Sequence, residues 1–247
     1  MAKDLLIING AHSTSAKALI TLCKDVYDLR LLSRRDSAPA EAVGEGHKHI
    51  RLDPLEAGQV AEAIGGIASE GIPIAGYAHF IGSVLLKPLH LTSIDEWDQT
   101  FSINTRSVFL ALRPLLPLLV KQKRGSVVLV SSVAARIGLA NHEAIAAAKG
   151  AIASLVPTLA ATYAPHGLRF NGVSPGLIRA PMTARIVDNE LSLKASLAMA
   201  PVHRVGEGAD IAAMADFLLD PARSGFVNGS VFPVDGGMGS VKLPPRM

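Results

Sequence analysis

Short apolar runs alternate with longer amphipathic segments along the whole chain, and this alternation is the strongest constraint on its fold. The apolar runs are rich in aliphatic and β-branched residues and cover residues 5–9, 28–33, 49–53, 74–80, 126–132, 168–174 and 230–237. The segments with helical periodicity cover residues 14–24, 56–70, 94–121, 142–164 and 208–219. Strands that are apolar on both faces and separated by helices are typical of a covered parallel sheet. The pattern predicts an α/β fold, a doubly wound parallel sheet of about seven strands with helices on both faces.

The composition fits one domain that binds neither nucleic acid nor metal. The chain has 247 residues, of which 49% are hydrophobic, and single α/β domains of roughly 200 to 250 residues are common. Lysine and arginine number 24 against 21 acidic residues, and the only basic run is residues 121–124, so we expect no nucleic-acid partner. Cys23 is the only cysteine, which excludes an internal disulfide and a multi-cysteine metal site, and we expect no metal.

Two apolar stretches bear on the cellular location. The first apolar run, residues 5–9, is too short for the core of a secretory signal. The longest apolar segment, residues 108–120, contains Arg113, Pro114 and Pro117, which a membrane-spanning helix of about 20 apolar residues would not readily include. We therefore expect a cytoplasmic protein without a membrane partner.

One lysine lies where a helix should be apolar. Within residues 141–161, Ile145, Lys149, Ile152 and Val156 recur at spacings of four, three and four, which places the lysine in the apolar stripe. A buried ammonium group is unfavourable by several kcal/mol unless its hydrogen bonds are accepted. The hydroxyls of a nicotinamide ribose would accept them, and so would a backbone carbonyl. The sequence leaves both possibilities open.

The turn after the first apolar run is a candidate phosphate-binding loop. A strand that turns sharply into a helix leaves free N–H groups at the helix N-terminus, and Ser13, Thr14 and Ser15 add hydroxyl donors there. Of the three glycines in a full dinucleotide fingerprint, only Gly10 is present. Serine and threonine are also ordinary N-cap residues, so helix capping is the alternative interpretation.

The ends of the next two runs favour one cofactor over another. Ser33, Arg34 and Arg35 follow the second run, without the carboxylate that would bind the ribose of NAD. Arginine at this place pairs with a 2′-phosphate, so the position favours NADP, and NAD is the less favoured cofactor. A solvated loop is the alternative. Asp53, after the third run, could contact the adenine or cap a turn with Pro54.

Taken together, these motifs resemble the short-chain dehydrogenase/reductase family. The similar segments cover about residues 4–237 in family order and spacing, and they read NGAHSTS, LLSRR, SINTRSVFLAL, SVVLVSSVAA, AAAKGAIASL, RFNGVSPGLIRAPM and GFVNGSVFPVDGG. The resemblance implies a single Rossmann-type NAD(P)-binding domain over residues 1–247. We expect residues 177–207 to form a substrate lid, although a surface loop with two short helices is the alternative, and residues 238–247 to form a C-terminal tail.

The resemblance also assigns roles at matching positions. Asn104 matches the asparagine that holds a proton-relay water, and Ser132 matches the serine that hydrogen-bonds the substrate carbonyl. Lys149 matches the lysine that binds the nicotinamide ribose. Arg34, with Arg35 as the alternative, matches the NADP-selecting arginine. The loop that meets the carboxamide corresponds to Pro175, Gly176 and Ile178, and the glycine after the fourth strand corresponds to Gly82.

The main departure from the family concerns the proton donor. The catalytic tyrosine of the family should stand four residues before Lys149, where this chain has Ile145, which carries no titratable proton. In the similar enoyl-thioester reductases the tyrosine stands seven residues before the lysine, and that position is His142. A histidine can donate a proton at neutral pH. The alternative is that His142 merely starts the helix.

Two functions remain open at this point. The resemblance implies an NADP(H)-dependent oxidoreductase that transfers hydride to or from a carbonyl, alcohol or activated alkene, with an atypical proton donor. The alternative is a non-redox protein of the same fold that binds a nucleotide or a partner. Apolar residues in the lid indicate a small apolar carbonyl or enone substrate. The family pairs helices that correspond to residues 94–121 and 142–164, so we expect a homo-oligomer, a tetramer or a dimer.

Overall fold

The computed structural model describes residues 3–242 and has one seven-stranded parallel sheet at its centre. Its strands are β1 (Leu5–Asn9), β2 (Asp28–Ser33), β3 (Lys48–Arg51), β4 (Ile74–His79), β5 (Gly125–Val130), β6 (Leu168–Pro175) and β7 (Val231–Val234). They lie in the order β3-β2-β1-β4-β5-β6-β7, and every pair of neighbours is parallel. The predicted fold class is confirmed. Residues 243–247 of the predicted tail lie outside the described residues.

Helices cover both faces of the sheet. They are α1 (Thr14–Cys23), α2 (Ala57–Ser69), α3 (Ile94–Phe101), α4 (Ser107–Gln122), α5 (Glu143–Tyr163), α6 (Ala184–Val187), α7 (Glu190–Met199), α8 (Gly208–Leu219) and α9 (Pro221–Ser224). The long helix predicted over residues 94–121 is in fact divided, because a π-helical turn, Ser102–Arg106, separates α3 from α4. Such turns inside helices often occur at functional sites.

Period-two alternation along the strands creates two separate cores. On β1, Leu5 and Ile7 join the core that α2, α4 and α5 cover, whereas Leu6 and Ile8 join the core under α1 and α8. All four side chains are fully buried. This two-sided burial explains why the strands read as continuous apolar runs.

Two helical stretches are apolar enough to be examined as membrane spans. By length and composition alone, Ile94–Gln122 and Glu143–His166 would qualify. Their buried residues, among them Leu112, Leu115 and Val156, instead pack into the core against the sheet. Apolar content in these helices therefore has a structural explanation within the domain.

The strand order reverses between β1 and β4, and this reversal creates a crevice. In open α/β sheets, ligands bind outside the carboxyl ends of the strands at such a switch point. Gly10, directly after β1, has φ +81°, and an added Cβ atom would lie 2.9 Å from backbone atoms of Phe80 and Ile81. Only glycine allows the two chain segments to approach this closely.

Candidate functional site

A cavity of about 360 Å³ opens where the predicted phosphate loop meets the ends of β2 and β4. We call it the first cavity. Of the predicted cofactor-binding residues, it is lined by Gly10, Ser13, Ser33, Arg34, Arg35, Asp53 and Gly82. These residues come from four separate parts of the chain, and the sheet brings them together at the carboxyl ends of its strands. Met182, from the predicted lid, also lines this cavity.

The loop at the N-terminus of α1 combines capping with free donors. Ser13 is the N-cap residue, and its hydroxyl accepts a hydrogen bond from the Ala16 amide at 3.2 Å. The amides of Thr14 and Ser15 are the first two of the helix and have no acceptor within it. Thr14 and Ser15 are not among the residues that line the first cavity. Both interpretations of the loop, capping and anion binding, are compatible with this geometry.

The other end of the first cavity is basic. Arg34 and Arg35 are exposed, and the Arg35 amide donates to the Ser33 hydroxyl at 3.2 Å, which shapes the turn after β2. The Asp53 carboxylate accepts from the Leu55 amide at 2.9 Å, so it caps the following turn, as one of the two interpretations predicted. Two guanidinium groups without a carboxylate directly after β2 make a suitable site for a phosphate.

Lys149 is buried, with 7% of its surface exposed, and has spare donor capacity. Its Nζ atom donates to the Val130 carbonyl at 2.9 Å, its one hydrogen bond within residues 3–242. The alternative of a backbone acceptor is therefore realised, but for only one of three ammonium protons. Burial lowers the pKa of Lys149 from 10.5 to about 8.

Asn104 and Lys149 converge on Gly82. A Cβ atom added to Gly82 would lie 3.1 Å from Asn104 Oδ1 and 3.4 Å from Lys149 Nζ. Asn104 is fully buried in the π-helical turn, where its Oδ1 accepts from the Ser83 amide at 3.1 Å and its Nδ2 donates to the Ser83 hydroxyl at 3.0 Å. Since Gly82 lines the first cavity, the lysine and the asparagine lie immediately behind its wall.

The remaining predicted catalytic residues lie at the two ends of the segment that connects β5 to α5. Ser132 stands beyond the end of β5, two residues later than the strand itself, and caps a short 3₁₀ turn by accepting from the Ala134 amide at 3.2 Å. His142 is the N-cap residue of α5, and its Nδ1 atom lies 2.7 Å from the Ala140 carbonyl. Ile145 is buried. Neither Ser132 nor His142 is among the residues that line the first cavity.

The predicted carboxamide loop borders a different cavity. Gly176 and Ile178 line a second cavity of about 320 Å³, together with residues of α7 and the segment after β7. Ile178 forms a parallel bridge with Gly206, so both ends of the predicted lid are tied together. Pro175 ends β6. The lid segment 177–207 contains two short helices, α6 and α7.

Sequence reasoning missed several polar residues of this region. Asn9 and His12 line the first cavity, and Ser83 holds both polar atoms of Asn104. Tyr77 and His79 stand two positions apart on a buried strand, and that spacing puts both on one face of the sheet. A polar pair on a strand that is apolar on both sides is a signal that could have been read.

Comparison with known proteins agrees with this architecture. The family described as enoyl-(acyl carrier protein) reductase matches residues 14–239. The chain is 31% identical over 241 residues to a cyclopentanol dehydrogenase of Comamonas sp. (strain NCIMB 9872). This match covers 95% of this chain and 96% of the relative. It is 33% identical over 216 residues to the inactive 2-(S)-hydroxypropyl-CoM dehydrogenase 2 of Xanthobacter autotrophicus (strain ATCC BAA-1158 / Py2), covering 84% and 93% of the two chains.

A solved structure has the same fold over nearly the whole chain. It is a short-chain type dehydrogenase/reductase from Mycobacterium ulcerans, with a TM-score of 0.89 and 25% identity. The match covers 97% of this chain and 91% of that one. The similarity therefore extends over nearly the whole of this chain.

Proposed function

Because the chain belongs to the short-chain dehydrogenase/reductase family of hydride-transferring oxidoreductases, we propose that it uses NADP(H) on a small carbonyl, alcohol or activated alkene. The observation that carries the proposal is the ammonium group of Lys149. It is buried beside Gly82 and Asn104, and within residues 3–242 only one of its three protons makes a hydrogen bond. A buried cation with spare donors needs a further acceptor, and the hydroxyls of a nicotinamide ribose would supply one.

The residues of the first cavity fit a dinucleotide. Gly10 lets the turn after β1 pack directly against the end of β4, and the Oδ1 atom of Asn9 is buried without a partner among the described residues. We propose that Arg34 and Arg35 bind the 2′-phosphate of NADP, which selects it over NAD. Pro175, Gly176 and Ile178 would meet the carboxamide.

The reaction needs a proton at the substrate oxygen or carbon, which Ile145 cannot supply. When bound, the cofactor supplies or accepts the hydride, while Ser132 orients the substrate oxygen and Lys149 holds the ribose. We propose that the proton comes from water held through Lys149 and Asn104, because burial lowers the pKa of Lys149 to about 8 and makes its ammonium group a usable acid near neutral pH. His142 is the alternative donor.

The decisive experiment titrates NADPH and NADH separately into the pure protein and follows nicotinamide fluorescence. We expect both to bind, NADPH about tenfold more tightly because of its extra phosphate contacts. Absence of binding for both nucleotides would refute the redox function. Ser132→Ala should then lose turnover on a panel of carbonyls and enones while keeping the affinity for NADPH.

The proton donor is tested on the same substrate panel. His142→Ala is compared with His90→Ala, since His90 is an exposed histidine in a short 3₁₀ turn and is not among the predicted site residues. If water relayed through Lys149 is the donor, both variants keep wild-type turnover. A loss confined to His142→Ala would instead identify that histidine as the donor.

A second candidate function is nucleotide binding without turnover. Ile145 favours it, and the Xanthobacter relative that is 33% identical carries the word inactive in its name. The substitution Ile145→Tyr separates the candidates. Turnover that appears only in this variant would show that the native chain binds its nucleotide without ordinary ketone reduction.

We further propose that the protein works as a homo-oligomer, a dimer or a tetramer, in the cytoplasm. Phe109 lies on the outer face of α4 and is 59% exposed, and a large exposed aromatic side chain there supports pairing along that helix. Gel filtration at the mass of one 25.8 kDa chain would refute it. The apolar lid residues Met182 and Leu191 are exposed at the cavity side and on α7, and they support an apolar substrate.

A further inference from the structure

Four polar side chains form a continuous hydrogen-bonded chain inside the apolar core. Asn9 Nδ2 lies 3.0 Å from the Tyr77 hydroxyl, which lies 2.6 Å from His79 Nδ1. His79 Nε2 lies 3.1 Å from the Ser107 hydroxyl, which lies 2.6 Å from the Ile103 carbonyl. Each of the four side chains belongs to a residue that is at most 2% exposed. We call this set the buried polar chain.

The direction of the hydrogen bonds follows from counting protons. Ser107 has one hydroxyl proton, and it donates this proton to the Ile103 carbonyl, so it must accept from His79 Nε2–H. His79 is neutral, because burial, with a smaller effect from Lys149, lowers its pKa to about 3. Its Nδ1 is then an acceptor for the Tyr77 hydroxyl. Tyr77 in turn accepts from the Asn9 amide, which leaves Asn9 Oδ1 as the free end.

The buried polar chain begins at the end of β1 and ends at the π-helical turn. Asn9 directly precedes Gly10, and its backbone carbonyl accepts from the Phe80 amide at 2.8 Å. At the other end, Ile103 belongs to the π-helical turn, next to Asn104. The Ser107 amide donates to the carbonyls of Ser102 and Thr105. The Ile103 carbonyl instead accepts from the Ser107 hydroxyl.

Apolar side chains at these four positions would need no hydrogen-bond partners. Polar groups in such surroundings are unfavourable unless they are paired, and a connected hydrogen-bond network favours one arrangement of the elements that carry it. We propose that Asn9, Tyr77, His79 and Ser107 are positioning residues, which join the turn after β1 to the π-helical turn and so hold Asn104 against Ser83. The effect on turnover rests on the proposed function, whereas the mechanical coupling does not.

The first test compares two buried serines. Ser107→Ala cuts the buried polar chain, and Ser126→Ala is its matched control, since Ser126 is also buried and donates its hydroxyl proton to a backbone carbonyl, that of Leu218 at 2.8 Å. Hydrogen exchange of the Ser83 amide reports on the bond to Asn104. We expect about fivefold faster exchange at Ser83 in Ser107→Ala, and wild-type exchange in Ser126→Ala.

The second test asks whether the members act as a unit. Tyr77 and Ser107 each bond to His79. In a double-mutant cycle on unfolding, Tyr77→Phe and Ser107→Ala should therefore be non-additive, whereas Tyr77→Phe and Ser126→Ala should add. Nitrogen NMR of the His79 ring should show the Nε2–H tautomer, without titration between about pH 5 and 9, and a rise of the Nδ1–H tautomer in Ser107→Ala.

Each outcome decides the inference. Equal Ser83 exchange in the two serine variants, together with additive cycles, would reduce the buried polar chain to ordinary core packing and overturn the proposal. If Ser107→Ala does not fold, the nearly isosteric Tyr77→Phe carries the exchange measurement. If wild type binds neither NADPH nor NADH, the proposed function fails, yet the exchange and coupling results still test the positioning role. With NADPH bound, kcat should fall more than affinity in Ser107→Ala.

Discussion

Within residues 3–242 the structure buries two cations, and their hydrogen bonding differs. Arg30 on β2 is 2% exposed, and its guanidinium group donates to both carboxylate oxygens of Glu70 and to the carbonyls of Leu29 and Gly46. Lys149 on α5 is 7% exposed and donates to a single carbonyl. Arg30 makes four hydrogen bonds within the fold, whereas Lys149 makes one.

The difference separates a structural charge from a functional one. A buried ion pair with most of its donors hydrogen-bonded within the chain holds neighbouring segments together and needs no ligand. A buried ammonium group with two free protons lowers the stability of the fold on its own, so its retention indicates a use in binding or catalysis. Four predictions test this contrast between Arg30 and Lys149.

The largest effect is expected from removing each cation. Lys149→Met should lower turnover at least about 100-fold while leaving the midpoint of thermal unfolding unchanged or raised, because a buried charge is lost. Arg30→Met should lower the free energy of unfolding by about 3 kcal/mol, since the Glu70 carboxylate loses its buried guanidinium partner. The affinity for NADPH should not change. Calorimetry and nucleotide titration of both variants check this. Loss of stability in Lys149→Met would abolish the contrast.

Glu70 and Lys149 should both make the free energy of unfolding rise with pH, because both pKa values are lowered in the fold, but they should do so in separate pH ranges. The Arg30 hydrogen bonds lower the pKa of Glu70 to about 2, below the 4.5 of an unfolded chain, so their stabilising effect is complete above about pH 4.5 and is lost as the pH falls toward 2. The pKa of Lys149 is lowered to about 8, below the unfolded 10.5, so the free energy of unfolding should rise between those two pH values.

Variants isolate these two contributions from other titrations. Burial raises the pKa of both Cys23 and Tyr27, which opposes the alkaline rise due to Lys149. The quantity to measure is therefore the difference between wild type and Lys149→Met in urea denaturation at alkaline pH, and between wild type and Glu70→Gln at acid pH. A pH-independent difference in the first pair would show that Lys149 is not a buried cation.

A matched pair of glycines should show a smaller effect. A Cβ atom at Gly82 would crowd Asn104 Oδ1 and Lys149 Nζ, so Gly82→Ala should weaken NADPH binding about fivefold with little change in stability. Gly46, whose carbonyl binds Arg30, has φ +87°, and its added Cβ atom would overlap the Asp28 carboxylate. Gly46→Ala should lower stability by about 1 to 2 kcal/mol and leave binding intact. Reversed results would exchange the two roles.

The smallest effect is expected at the exposed edge of the Arg30 cluster. Lys48 also binds Glu70, with its Nζ atom 2.8 Å from Oε2, but its side chain is 59% exposed. Lys48→Met should change the free energy of unfolding by less than about 0.5 kcal/mol, because solvent screens exposed pairs. Urea denaturation beside Arg30→Met measures the ratio. A change as large as that of Arg30→Met would mean that burial does not govern the strength of the cluster.

Much of the fold was readable from the pattern of apolar residues. All seven strands and four of the five helical segments were predicted within a few residues, because burial on both faces of a strand and on one face of a helix produces characteristic periods. The fifth segment, residues 94–121, is divided into α3 and α4. The π-helical turn was not predicted, since Ser102–Arg106 is apolar and polar in the same proportion as an ordinary helical segment. Asn104 and Thr105 of this turn bond to Ser83 and to the Ala148 carbonyl, which are 21 and 43 residues away.

The candidate site was predicted less completely. Gly10, Ser33, Arg34, Arg35, Asp53 and Gly82 do converge on one cavity. Their roles in binding, and the roles of Ser132, His142 and Asn104 in catalysis, stay predictions. The buried polar chain was missed because the partners of Asn9 and Ser107 are distant in sequence, 68 and 28 residues away.

By itself, the sequence determined the parallel sheet, the two covered faces and the position of a lysine in an apolar stripe, because these follow from periodicity along one segment. Only the tertiary structure decided that Arg30 finds the carboxylate of Glu70, 40 residues away, while Lys149 finds one carbonyl and an open side next to Gly82. Whether a buried charge is satisfied depends on distances between segments that the fold alone brings together, and no local pattern encodes those distances.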